Sequence, residues 1–272
     1  MRRRDWIWSA GGWAWANLGL THAETIEEKG KRIVDEALAA LGGEKFLAMQ
    51  DRLEEGRAYS FYREQLSGLT RARIYTRYLV RPEPPVAGFF GVRERQAFGK
   101  DEYNSVLFNE EGKGWDITFR GARPLPPPLL ERFRDSTLHN IFYILRMRLG
   151  EPGLILESRG REIIENMAVE VVDITDADNR VTKVYFHHLT KLPVKQMFVR
   201  RDPQTKNQTE EVTRFSKYRD VGGGVMWPFT IQRERDGEAI YSMFSEAVAV
   251  NKGLTDNNFT LPGEVKELPP AK

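Results

Sequence analysis

Arg71-Ala72-Arg73-Ile74-Tyr75-Thr76-Arg77-Tyr78-Leu79-Val80-Arg81 decides the fold class. Ala72, Ile74, Thr76, Tyr78 and Val80 fall on one face, and Arg71, Arg73, Arg77 and Arg81 on the other. That period of two marks a half-buried antiparallel strand with a wet side. The pattern spreads in both directions. Tyr59 and Phe61 share a face within Arg57 to Arg63, and Trp115, Ile117 and Phe119 alternate with Asp116, Thr118 and Arg120. From Val171 to Val250 nearly every segment alternates. Turn signals separate the segments at hairpin spacing: Arg81 to Pro85, Asn109 to Gly114, Asp176 to Asn179, Arg201 to Asn207, and Asp236-Gly237. Sequential strands without helical crossovers predict a meander of hairpins that curls into a barrel or half-barrel with one apolar, aromatic face.

Three segments read as helices. Ile26, Ile33, Val34, Ala37, Leu38 and Leu41 recur at helical spacing between Thr25 and Leu41, and Gly42-Gly43 stops the run. A short helix follows from Glu44 to Gln50. After Pro124-Leu125-Pro126-Pro127-Pro128, the residues Leu130, Phe133, Thr137, Leu138, Ile141, Phe142, Leu145 and Leu149 form one broad stripe. A single helix from Leu130 to Leu149, buried against the apolar face of the sheet, is the expectation.

Composition narrows the function. The 272 residues contain no Cys, which excludes disulfide staples, Cys-ligated zinc and thiol catalysis. The net charge of +2 is too small for a chain that grips nucleic acid through its phosphates. Arg2, Arg3 and Arg4 precede a weakly apolar run from Trp6 to Leu20 and then Thr21-His22-Ala23, the layout of a secretory signal over residues 1–23. Arg3-Arg4 also bears a loose likeness to a twin-arginine signal. The run is shorter than the roughly 20 apolar residues that span a bilayer. Removing its three Arg and one Asp from 41 basic and 39 acidic residues leaves 38 of each. The expectation is a soluble periplasmic protein, not itself lipidated because no Cys is present to carry acyl chains. Residues 24–262 then form one domain, and residues 263–272 a flexible tail.

The residues that could carry chemistry have plainer readings. His187 and His188 are adjacent on a strand and point to opposite faces. Asp135 and His139 stand at i and i+4 and could form an acid-base couple, but a surface ion pair explains them. Asp173, Asp176, Asp178 and Asn179 lack the glycine and closing glutamate of a calcium loop, and a hairpin turn accounts for them. Glu54-Glu55, Glu110-Glu111 and Glu210-Glu211 lie near turns or strand ends, where charge usually meets solvent. No GxSxG, HExxH, Walker or GxGxxG pattern is present. No catalytic residue, metal or cofactor is assigned.

What remains is the apolar face. Tyr59, Phe61, Ile74, Tyr78, Trp115, Ile117, Phe119, Trp227 and Phe229 on the strands would form one wall of a cavity. Leu130, Phe133, Ile141 and Leu145 on the helix would form the other. The alternative is a closed core packed solid.

Several stretches are similar to outer-membrane lipoprotein-sorting proteins, a periplasmic carrier-like superfamily. They are Ala39-Ala40-Leu41-Gly42-Gly43 with Phe46-Leu47-Ala48-Met49; Lys191-Leu192-Pro193-Val194; Phe215-Ser216-Lys217-Tyr218-Arg219-Asp220-Val221; Gly224-Val225-Met226-Trp227-Pro228-Phe229; and Val250-Asn251 with Phe259-Thr260-Leu261-Pro262. These motifs place hairpins and contain no reacting group. The resemblance implies an α+β, mostly antiparallel β fold: a curled half-barrel sheet with helices covering its concave apolar face, whose cavity receives acyl chains in the lipoprotein carriers. The chain is longer than the compact carriers, with added sequence around Arg81 to Lys100 and before the Leu130 helix.

The expected function is therefore a non-enzymatic periplasmic binder or carrier of a lipid or of lipoprotein acyl chains. Contact with the membrane would be transient at most, envelope proteins are possible partners, and nucleic acid is not. The alternative is an envelope interaction or regulatory module whose half-barrel is filled by its own side chains.

Overall fold

The computed structural model describes residues 23–80, 90–100, 102, 104–201, 205–261, 263 and 265–270. The secretory layout up to His22 and the turn signal at Arg81 to Pro85 lie outside these residues. Thirteen strands form one antiparallel sheet built from two meanders. The first comprises β1 (Asp51–Tyr62), β2 (Gln65–Tyr78), β3 (Val92–Phe98), β4 (Asn104–Phe108), β5 (Gly114–Thr118) and β6 (Gly121–Pro124). The second comprises β7 (Ile155–Ile164), β8 (Met167–Thr175), β9 (Val181–His187), β10 (Pro193–Arg201), β11 (Gln208–Asp220), β12 (Met226–Arg235) and β13 (Glu238–Val250). Each strand pairs with its neighbour in sequence, and β1 pairs with β13 to join the halves. The sheet curls without closing, as the alternating segments predict.

The junction is stitched at several points. The Asp51 carboxylate accepts hydrogen bonds from the backbone N–H groups of Lys252, Gly253 and Leu254 at 2.7, 2.8 and 3.0 Å. Asn251 Oδ1 accepts from the Gln50 N–H at 2.7 Å. At the bulge beside Gly56 the strands approach so closely that a Cβ there would lie 2.2 Å from the Phe244 carbonyl oxygen. Only glycine fits.

Helix α1 (Ile26–Leu41) begins at a capping box: Thr25 Oγ1 accepts from the Glu28 N–H, and the Glu28 carboxylate accepts from the Thr25 N–H. Its stripe of Ile33, Val34, Ala37 and Leu41 is buried on the concave face of the sheet. Gly30 lets the helix cross β7 closely, because a Cβ there would meet the Leu156 carbonyl oxygen at 2.3 Å. The glycine stop holds, with Gly42 at φ 122°, and α2 (Glu44–Leu47) follows.

The expected single helix from Leu130 to Leu149 is instead broken. Helix α3 (Pro127–Leu138) ends at His139, and Asn140 has an extended backbone with its Oδ1 accepting from the N–H groups of Phe142 and Tyr143. That side chain caps a new start, so the helix cannot run through. Helix α4 (Ile141–Tyr143) continues into a π-helical turn (Ile144–Arg148). Ile141, Phe142, Ile144, Leu145 and Met147 are buried in the central concave core, whereas α3 buries none of its residues. Phe142 packs against Phe215 and Trp227, with ring centroids 4.9 and 4.6 Å apart.

Two further segments differ from a simple reading of the sequence. Among the described C-terminal residues, Leu268 donates to the Ala122 carbonyl, Ala122 donates to that of Lys266, and Glu267 forms a parallel bridge to Ala122. Leu254, Phe259, Leu261 and Val265 cover Leu107, Ile117 and Ala122 on the convex side, beneath the short 3₁₀ helix at Asp256–Phe259. Glu54, expected in solvent, is 2% exposed on the concave face. Its carboxylate binds the Arg52 guanidinium, which donates to Thr76 Oγ1 at 2.9 Å and lies 4.2 Å from the Trp227 ring, while Ser245 donates to Glu54 from β13. Desolvation disfavours the Arg52 charge, yet Glu54 and its other polar neighbours hold the guanidinium pKa above its ordinary value.

Glu54→Gln should therefore destabilise the protein by about 3–5 kcal/mol, the range seen when one member of a buried ion pair is removed. Urea denaturation measures this, and a loss of less than about 1 kcal/mol would show that the pair contributes no more than an exposed one.

Candidate functional site

An open groove runs beside α3 along strands β9 to β12, lined on the concave face by Phe198, Arg200, Glu211 and Arg235 and on the other face by Lys183, Met197, Val199 and Arg201. Its volume is about 1120 Å³. The register of the sheet sets its floor. Phe198 on β10 stands opposite Glu211 on β11, which stands opposite Arg235 on β12, so the three share one face. Arg200, two residues beyond Phe198, joins them.

The roof is the inner side of α3 and its C-cap. His139 stacks on Phe198 with ring centroids 4.0 Å apart and Nδ1 2.8 Å from the Asp135 carbonyl oxygen. Roof and floor exchange charges in both directions. Arg132 on α3 donates to Glu211 at 3.3 Å, and Asp135 on α3 pairs with Arg200 at 2.7 Å. Arg200 also donates to Ser136 Oγ at 3.0 Å. At the far side of the groove Arg180 pairs with Asp176 at 3.0 Å, and Arg148 meets the same carboxylate at 2.8 Å. Burial opposes ionisation of Asp176, but hydrogen bonds from Arg148 and Arg180 hold its pKa below the usual aspartate value. Seven basic and four acidic side chains line the groove; Leu138 and Phe198 supply its apolar wall on the concave side, whereas Met197 and Val199 point to the other face of β10. The arrangement suits an amphiphilic guest with an anionic part. Among the described residues no group of three or more His, Asp or Glu side chains could hold a metal ion.

None of the thirteen residues named from the sequence lines this groove. Tyr78, Ile141, Leu145 and Trp227 converge, but in the solid central core with Ile33, Leu41 and Phe46. Phe133 packs at the margin of that core and stacks on Phe108 at 3.6 Å. Leu130 fills the space left by Gly114, where a Cβ would lie 2.9 Å from its Cδ2. Ile74 shares the concave face, opposite Glu54 and Gln96. Phe229 is buried under the Arg219 guanidinium, 4.4 Å from its ring. Trp115 and Ile117 face the convex side, under the C-terminal segment. Tyr59 is also convex, edge-on to Phe244 at 5.4 Å, Phe61 lies near the β1–β2 turn, and Phe119 is 80% exposed in the β5–β6 turn. Conversely, Phe198, Arg200, Glu211 and Arg235 escaped the sequence reading. Gln196, Phe198 and Arg200 do alternate before the Arg201 to Asn207 turn, and that was the available signal. The Asp135–His139 pair is not on the surface, because His139 is 5% exposed.

A curled antiparallel sheet with helices on its concave face and an open groove beside them defines an open α+β half-barrel. The chain matches no protein-family model and no curated protein. Its fold is similar to that of three solved structures. An outer membrane lipoprotein-sorting protein domain from Vibrio parahaemolyticus is 13% identical over 86% of this chain and 97% of its own, with a TM-score of 0.55. A DUF1329 family protein from Desulfovibrio piger is 12% identical over 87% and 98%, at 0.58. A LolA superfamily protein from Nitrosomonas europaea is 12% identical over 85% and 97%, at 0.52.

Burial pushes the His139 pKa below its ordinary 6.5, against the raising influence of Asp135. The fold thus favours the neutral ring, and the stability this gives is complete above pH 6.5 and lost as pH falls towards the folded value. The melting temperature should decline between pH 7 and 5, before Asp176 is protonated. His139→Gln should flatten that decline; parallel wild-type and variant profiles would remove His139 as its source.

Proposed function

We propose that this chain is a non-enzymatic binding or carrier protein of the bacterial envelope, which holds a lipid or the acyl chains of a lipoprotein between α3 and the floor formed by β10 to β12. The observation that carries this reading is a twelve-residue helix with no buried residue lying beside an open groove of about 1120 Å³. Such a helix can lift. Its two ion pairs to the floor are partly exposed and worth about 0–1 kcal/mol each. A guest that buries about ten methylenes gains about 8 kcal/mol, to be set against those ion pairs and the stacking of Phe133 on Phe108 and of His139 on Phe198, about 0.5–1.5 kcal/mol for each ring pair. Lifting α3 would also turn Leu130 and Phe133 towards the guest.

The lipoprotein-sorting description of the Vibrio domain supports this class of cargo. The basic start and short apolar run support export to the periplasm, and the absence of Cys supports a carrier that is not itself acylated. Among the described residues no helix is long and apolar enough to cross a membrane. The solid central core favours a second reading, in which the same groove receives a segment of an envelope protein.

Protein spanning Glu24 to Lys272, purified without detergent, should release lipid into organic solvent, detected by mass spectrometry, and should take up a fluorescent fatty acid. Phe198→Glu should weaken that uptake by at least about tenfold, since it replaces the aromatic side chain of the floor with a charge. No extracted lipid together with no uptake would end the carrier reading in favour of the second one.

A further inference from the structure

Three guanidinium groups from three different elements converge on one oxygen. Glu211 Oε1 lies 3.3 Å from Arg132 Nη2 of α3, 3.5 Å from Arg200 Nε of β10 and 3.2 Å from Arg235 Nε of β12. Guanidinium is charged at every physiological pH, so three positive charges stand around a single negative one. Asp135 offsets one more through Arg200. A surplus of one positive charge remains at the cluster.

Donor capacity exceeds what Glu211 accepts. Each arginine has five N–H groups. Among the described residues Arg132 donates only from Nη2 and Arg235 only from Nε, both to Glu211. Their side chains are 42% and 34% exposed, whereas Glu211 is 13% exposed at the centre. Holding three like charges together is unfavourable in itself. The fold does not need them there, because the apolar core that holds the sheet lies elsewhere.

We propose that Arg132, Arg200 and Arg235 form a binding site for one oxyanion, a phosphate or carboxylate, carried as the head group of the amphiphile that the groove takes. Glu211 is its internal competitor. Guanidinium forks match the oxygens of such a group, and phosphate offers more acceptors than the single carboxylate it would displace. The tail requirement rests on the carrier reading above; the oxyanion requirement does not. Phe198, whose ring lies 5.5 Å from the Arg200 guanidinium, marks where head and tail would meet.

Competition binding to the chain from Glu24 onward, with dodecyl phosphate, dodecanol and inorganic phosphate as probes, tests the site. Dodecyl phosphate should bind at least about tenfold more tightly than dodecanol, as charge-assisted hydrogen bonds imply. It should also bind more tightly than inorganic phosphate, which identifies the head group as the source of the anion. Arg132→Gln and Arg235→Gln should each bring the phosphate-to-alcohol ratio towards one, and Arg71→Gln on the convex face should leave it intact. Glu211→Gln should tighten dodecyl phosphate several-fold, a gain that no misfolded variant produces. Equal affinity of wild type for dodecyl phosphate and dodecanol would overturn the oxyanion site and leave the carrier reading standing. Inorganic phosphate binding as tightly as dodecyl phosphate would keep the site and remove the carrier reading. Binding of none of the three would overturn both.

Discussion

Everything in this molecule hangs on the pairing of β1 with β13. Every other strand contact joins neighbours in sequence, whereas this one joins residues near position 52 to residues near position 250. Without it the two meanders would be separate sheets, each exposing an additional edge of unpaired N–H and C=O groups. The chemistry concentrated at the junction matches that burden. Asp51 gathers three backbone donors, Gly56 permits the close approach, and Glu54 joins Arg52 on its own strand to Ser245 across the gap. An ion pair in an apolar interior is a poor source of net stability, but it is costly to misalign. At this place it disfavours any other register between the halves.

The joined sheet offers more concave surface than its helices can cover, and how that shortfall is distributed determines what the protein can do. Helix α1 and the π-helical turn fill the middle with side chains that solvent scarcely reaches. Helix α3 lies over the flank, where the walls are charged and the space stays open. The fold therefore separates its duties: the centre provides rigidity, and the flank has the few buried contacts of a segment that opens locally.

Much of this was legible in the sequence, for reasons that also mark the limit. Alternation from Arg71 to Tyr78 and from Val171 to Val250 identified the strands, because a half-buried sheet imposes a period of two. Alternation within one strand shows which residues share a face, but not whether that face matches the same face of another strand. Trp115 and Ile117 look like Tyr78 in sequence and lie on the opposite side of the sheet, since the pairing that relates them runs through β3 and β4. The C-terminal segment that buries them has no periodicity to betray it. The break at Asn140 was hidden because the apolar stripe continues across it. Glu54 and Glu211 were read as solvated because single charges usually are; their arginine partners lie two residues away in one case and on three separate elements in the other.

The seam also has a consequence in time. A strand near the beginning of the described sheet waits for one synthesised about 190 residues later. Contacts of such separation are slow to form, because the loop between them must close first. The first meander can assemble its hairpins as it emerges, yet Arg52 and Glu54 have no Trp227 or Ser245 to shelter against until the last strands arrive. The chain consequently has a long interval in which it is partly structured and not yet committed.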